Sequence, residues 1–158
     1  MHLFRISKRE YIEDLTGFGA GLYGGRWNSK GINMVYTAEN ISLAYLEFFV
    51  HNYHILETTH VCLARIQIDE KAPVHHLSPD KIPGNFNTSR SYTIETRSAG
   101  DGFIKEKKFY ALKVPSSIVP GEYNILLNPL HPIHQQTKII DITDPIAFDV
   151  RLFQNMKP

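Results

Sequence analysis

The chain has 158 residues and a formal net charge of +1, from 17 Lys and Arg against 16 Asp and Glu. Its 42% hydrophobic and 21% charged residues exclude a disordered segment, and the length suits one domain, taken as residues 1–158. The near-neutral balance supplies no basic face for direct nucleic-acid binding, and nothing in it singles out a membrane surface.

The N-terminus, Met1-His2-Leu3-Phe4-Arg5-Ile6, lacks the long apolar run of a secretory signal. No stretch is long enough to span a bilayer, so a cytoplasmic location is expected. Residues 2–6 read as a short strand. Residues 15–33 hold Gly17, Gly19, Gly21, Gly24, Gly25 and Gly31 and read as a loop that turns sharply or approaches something closely. Met34 to Thr37 reads as a strand, Asn40 as an N-cap, and Ile41 to His51 as a helix. His60 to Ile68 alternates as a strand does. It carries the single cysteine, Cys62, which reads as a buried structural thiol in a reducing compartment.

Residues 71–102, with Pro73, Pro79 and Pro83, read as a long connection with short helical pieces. Phe109 to Val114 and Tyr123 to Leu127 are strand candidates, stopped by Pro115 and by Asn128-Pro129. Ile139 to Ile142 and Ala147 to Phe153 read as closing strands, or as a strand and a tail. Several short strands with few helices point to an α+β fold.

Among the residues able to carry chemistry, Gly24-Gly25-Arg26-Trp27-Asn28-Ser29-Lys30-Gly31 comes first. The two glycines let the backbone approach a ligand, Arg26 can grip an anion through two parallel hydrogen bonds, and Trp27 offers a flat apolar face. A tight turn with a surface arginine fits the same letters. The spacing is that of neither a dinucleotide fingerprint nor a P-loop.

Glu47 lies in Leu43-Ala44-Tyr45-Leu46-Glu47-Phe48-Phe49-Val50, a helix apolar almost all round, where a carboxylate is costly unless paired or used. It reads as a glutamate at the exposed edge of a half-buried helix, as a structural ion-pair partner, or as a catalytic carboxylate. Tyr36 closes the strand before that helix and offers a ring that could stack on a planar substrate.

Pro115 and Pro120 bracket Ser116 and Ser117, and Asn128-Pro129 and His131-Pro132 fix the turn after Tyr123–Leu127. The eight histidines include no HExxH, and no second cysteine supports a zinc site, so no metal is expected. A triad of Ser116, His131 and Asp141 lacks the GxSxG elbow.

In chain order, these segments resemble the RES domain. The match begins at Phe4-Arg5-Ile6 and Gly17-Phe18-Gly19-Ala20 and runs through Gly24–Gly31, Val35–Glu39 and Leu43–Glu47 with Val50-His51. It resumes at Val114-Pro115-Ser116 and continues through Glu122, Asn124, Asn128-Pro129 and His131-Pro132. The middle departs from it: Ile82-Pro83-Gly84-Asn85-Phe86 has Phe86 where such proteins often have tryptophan, and Glu95 to Asp101 matches loosely.

The resemblance implies a fold similar to ADP-ribosyltransferases. It also implies a toxin of a bacterial toxin–antitoxin pair that cleaves the nicotinamide–ribose bond of NAD⁺ by hydrolysis or phosphorolysis. NAD⁺ is then the substrate and no cofactor is expected. The implied partner is a helical Xre-like antitoxin that blocks the site.

On this resemblance Arg26, Tyr36, Glu47 and Ser116 form the catalytic set, with Trp27 and Asn124 as further substrate contacts. Glu47 would stabilise the charge developing on the ribose, Arg26 would clamp a phosphate, Tyr36 would stack on nicotinamide, and Ser116 would act near the ribose or position the acceptor. Two other readings stay open: a mono-ADP-ribosyltransferase acting on a protein, and an inactive antitoxin-binding module.

Overall fold

Leu3 and Ile6 point to opposite sides of the first strand, and both are buried, so that strand needs cover on two faces. The computed structural model, which describes residues 1–56, 59–82, 84, 86 and 94–153, places it inside a seven-stranded sheet. The strands are β1 (His2–Lys8), β2 (Val35–Ala38), β3 (Val61–Gln67), β4 (Val74–His76), β5 (Ala111–Pro115), β6 (Tyr123–Leu127) and β7 (Lys138–Thr143). Their order across the sheet is β4-β5-β6-β2-β1-β3-β7. The β4–β5 pair is parallel and the others are antiparallel. With helices α1 (Phe18–Tyr23), α2 (Ile41–Asn52) and α3 (Ile94–Glu106), the fold is α+β as expected.

Alternation along the strands sorts the core into two faces. Leu3, Val35, Ala64, Ile125 and Leu127 share one cluster. The opposite face carries two patches. α2 covers β1 and β3 through Leu43, Ala44, Ile6 and Leu63, while α3 covers β5 and β6 through Phe103, Ile104, Leu112, Val114 and Leu126. The two patches leave a cleft between them.

Asn40 caps α2, its side chain accepting from Leu43 N–H at 2.8 Å. The helix is not apolar-buried all round as its sequence suggests. Leu43, Ala44 and Phe49 are buried, while Leu46 and Val50 face solvent, because only one side of α2 meets the sheet.

Two further expectations are corrected. The glycine-rich stretch contains α1, since Gly19 and Gly21 sit in a helical turn. The 71–102 connection contains strand β4 and most of the 13-residue helix α3, where short helical pieces were expected. Of the two readings for the C-terminal part, the strand and tail holds: β7 is the strand, and the tail at Ala147 to Phe153 carries a 3-10 turn at Val150–Leu152. Pro83 and Asn85 of the middle motif lie outside the described residues. Among the described residues no helix is long and apolar enough to cross a membrane.

Candidate active site

Glu47 faces the cleft from α2, five residues before the helix ends, and its side chain is 19% exposed. Two donors converge on one of its oxygens. Ser116 Oγ donates to Oε1 at 2.8 Å and Asn124 Nδ2 at 2.6 Å. Asn124 sits at the start of β6 opposite Ala38, and Ser116 directly follows β5, so the sheet register sets both distances. Ser116 is itself fixed, its hydroxyl accepting from the N–H groups of Ile118 and Val119 at 3.0 Å each. Oε2 faces His51 Nε2 at 3.7 Å, one helical turn on.

Burial alone would push the Glu47 carboxyl up. The His51, Asn124 and Ser116 donors outweigh it, and the group titrates below the ordinary carboxylate value. The sign of the pH dependence follows. The charged form persists as pH falls to the ordinary carboxylate range and is lost only below it. The stability that these donors contribute is likewise present above the unfolded value and lost as pH falls through the lowered folded value. In Asn124→Ala the burial effect gains ground, so the acid limb of the kcat/KM profile should move to higher pH. An unmoved limb would show that Asn124 does not set the charge on Glu47.

Arg26 enters from the other side of the cleft, on the glycine-rich loop. Its guanidinium donates to the backbone carbonyl of Phe86, so the middle connection reaches the site through its main chain. Gly25 is required for an internal reason rather than for ligand approach: an added Cβ would stand 2.6 Å from Tyr36 Oη and 2.8 Å from Asn28 Oδ1. Tyr36 Oη donates to Asn28 Oδ1 at 2.7 Å and accepts from Trp27 N–H at 3.1 Å. Its hydroxyl therefore holds the loop, and the ring is what it offers to the cleft. Trp27 is 3% exposed and packs with Met34 and Leu126, touching the cleft only at its edge.

Helix α3 supports this loop from behind. Asp101 Oδ1 accepts from Ser29 N–H at 2.9 Å, and Arg97 Nε donates to Gly25 O at 3.3 Å. Asn128 Nδ2 donates to Ile104 O at 3.0 Å near the C-terminal end of α3, which is the work of the Asn128-Pro129 turn.

The resulting cleft has a volume of about 290 Å³, at the lower end for a small-molecule site. Arg26, Trp27, Tyr36, Glu47, His51 and Asn124 are among the residues that line it. All six site residues named from the sequence thus gather in one region. Ser116 stands behind Glu47 rather than at the cleft wall, which is formed there by Pro115 and Ser117. The sequence reading missed Asn28, the organiser of the loop, and His51. For His51 the Glu47–His51 helical spacing was the available signal. Ser116, His131 and Asp141 do not form a triad: Ser116 bonds Glu47, while His131 lies beside the Tyr110 ring and accepts from Ile133 N–H. One group with metal-ligand chemistry exists among the described residues, at His60, Cys62 and Asp144, away from this cleft.

The RES domain family model matches residues 2–149. A Yersinia enterocolitica protein named Toxin Res is 36% identical over 155 residues, covering 96% of this chain and 99% of that protein. A Sphingobium protein named Prs ADP-ribosylating toxin is 36% identical over 125 residues, covering 76% of this chain and 75% of that one. A chain in the crystal structure of the M. tuberculosis MbcT–MbcA toxin–antitoxin complex shares the fold, with a TM-score of 0.75 at 17% identity over 98% of this chain and 87% of that chain.

Proposed function

Because the chain belongs to the RES domain family, we propose that it is the toxin of a toxin–antitoxin pair and acts by cleaving NAD⁺ at the nicotinamide–ribose bond. The observation that carries this reading is the Glu47 carboxylate, kept charged in a cleft by Ser116 and Asn124 on a single oxygen. Such a locked charge suits a cationic transition state. Breaking the glycosidic bond leaves an oxocarbenium-like centre on the ribose, as in glycoside hydrolysis. Nicotinamide departs as a neutral ring from a cationic nitrogen, so no strong general acid is needed.

The chain's own residues divide the work. Glu47 stabilises the developing positive charge, and Oε2, the oxygen not taken by Ser116 and Asn124, is placed to accept from ribose hydroxyls. Arg26 pairs with a phosphate, which would compete with the Phe86 carbonyl for its guanidinium. Tyr36 presents its ring to nicotinamide, and Trp27 adds an apolar edge. NAD⁺ enters as the substrate, not as a resident cofactor, and the setting is the cytoplasm.

A protein that consumes NAD⁺ in its own cell must be held inactive. The proposed partner is an antitoxin, of the helical Xre-like kind, that fills the cleft and pairs with Arg26. A charge-assisted pair of this sort contributes roughly 1.5–3 kcal/mol, so apolar contacts must supply most of the affinity.

A second reading is favoured by the name of the Sphingobium relative: transfer of ADP-ribose to a protein from the same pocket. One experiment separates them. Purified protein is incubated with NAD⁺, with and without phosphate, and the products are identified. Free nicotinamide with ADP-ribose or its phosphate is the expected result. Intact NAD⁺ in both conditions, with a mass shift appearing on a protein only when lysate is added, would move the assignment to the transferase.

A further inference from the structure

His60, Cys62 and Asp144 bring an imidazole nitrogen, a thiol sulfur and a carboxylate oxygen within 4.8 Å of one another. We propose that these three side chains form a binding site for a divalent transition metal of the zinc class. None of them lines the Glu47 cleft, so the site is separate from the ribose chemistry.

The sheet sets the arrangement. His60 immediately precedes β3, Cys62 is its second residue, and Asp144 immediately follows β7, which pairs with β3 through Leu63 and Thr143. The Asp144 carboxylate is held in a fixed orientation. Arg9 Nε binds Oδ2 at 2.8 Å, and Oδ1 is turned to His60 Nε2 at 2.5 Å. A ligating carboxylate is ordinarily held in this way by an outer partner on its second oxygen. The charge of Arg9 is shared with Glu13 at 3.1 Å, which lessens its repulsion of a cation.

The donor set selects the ion. A thiolate and an imidazole favour zinc-like metals over calcium or magnesium, which take oxygen ligands. Three protein ligands leave a fourth tetrahedral position. The His60 and Asp144 side chains are 56% and 30% exposed, so water can take that position while Cys62 closes the buried side. Without metal, burial and the nearby Asp144 push the Cys62 thiol up, and it stays protonated. Binding therefore releases the thiol proton to solvent. The metal would tie the entry of β3 to the exit of β7.

The test uses the whole chain, freed of any purification tag and treated with chelator. Zn²⁺ is titrated by calorimetry and Cd²⁺ by ultraviolet absorption, with thermal melting alongside. The expected results are one equivalent of Zn²⁺, a thiolate-to-metal absorption band with Cd²⁺, and a higher Tm with either ion. Cys62→Ser should remove the band. Because Cys62 is in the core, the exposed His60→Gln serves as the second variant and should weaken Zn²⁺ at least about tenfold while folding normally. Absence of the thiolate band in the folded native protein would overturn the proposal. So would Zn²⁺ affinity unchanged in His60→Gln, which would place the ion elsewhere.

Discussion

Glu47→Gln is expected to abolish NAD⁺ turnover while leaving the fold in place. Gln keeps the length of the side chain and can leave its carbonyl oxygen where Oε1 accepts from Ser116 and Asn124. Its amide then takes the place of Oε2 opposite His51, where a neutral imidazole can accept from it. The loss is confined to the charge. A unit charge about 4 Å from a developing cation, at an effective dielectric of about 20, contributes roughly 4 kcal/mol. At about 1.4 kcal/mol per decade, that is a fall in kcat of about a thousandfold. Circular dichroism should match the native protein, and the melting temperature should fall only slightly, by the stability that the donors lend to the charged form. Near-native turnover would remove Glu47 from the mechanism and with it the basis for NAD⁺ cleavage at this cleft.

Gly100→Ala should produce the largest stability loss of any single-methyl change in α3, and should cost activity at a distance. A Cβ at residue 100 would stand 1.7 Å from Trp27 O and 2.8 Å from Trp27 C, both backbone atoms of the loop that carries Arg26. Those atoms cannot rotate away as a flexible side chain would. Overpacking costs about 1–3 kcal/mol, and this case belongs at the top of that range. For a chain of this size, ~3 kcal/mol corresponds to a Tm lower by about 6–12 °C. The loop must shift, so Arg26 moves relative to Glu47 and KM for NAD⁺ should rise. Gly102 is the control on the same helix. Nothing lies within 4 Å of its added Cβ, so Gly102→Ala should be neutral or stabilise by up to ~1 kcal/mol. Equal Tm values for the two variants would show that α3 does not press on the Trp27 loop as described.

Gly100 also shows why α3 was not legible in the sequence. The buried residues of the helix are Thr96, Gly100, Phe103 and Ile104. The spacing is helical, but half of the face is Thr and Gly, so no apolar period emerges to be read. The glycine that hides the helix is the residue that lets it approach the loop. By contrast, α2 carries a regular N-cap and an apolar run, β1, β2 and β3 carry β-branched and aromatic or other apolar residues, and β5 and β6 stop at Pro115 and before Asn128-Pro129. Those elements were read with their ends within a residue or two.

Glu47 could be singled out because a carboxylate in an apolar helix is a local anomaly. Its partners could not be read without the resemblance, since Ser116 is 69 residues away and Asn124 is 77, brought close only by the β5–β6 and β2–β6 pairings. The cluster at His60 and Asp144 is separated by 84 residues and leaves no spacing motif for the same reason.

That separation has a temporal side. The helix that carries Glu47 is made early, but the two groups that hold its carboxylate leave the ribosome some seventy residues later, and β2 has no β6 beside it until then. A growing chain that has not reached Asn124 carries Glu47 without that donor, and its β4–β5 pair is not yet joined to β2, because β6 lies between them. The activity proposed for this cleft therefore cannot precede β6, because it needs Asn124, at position 124 of 158.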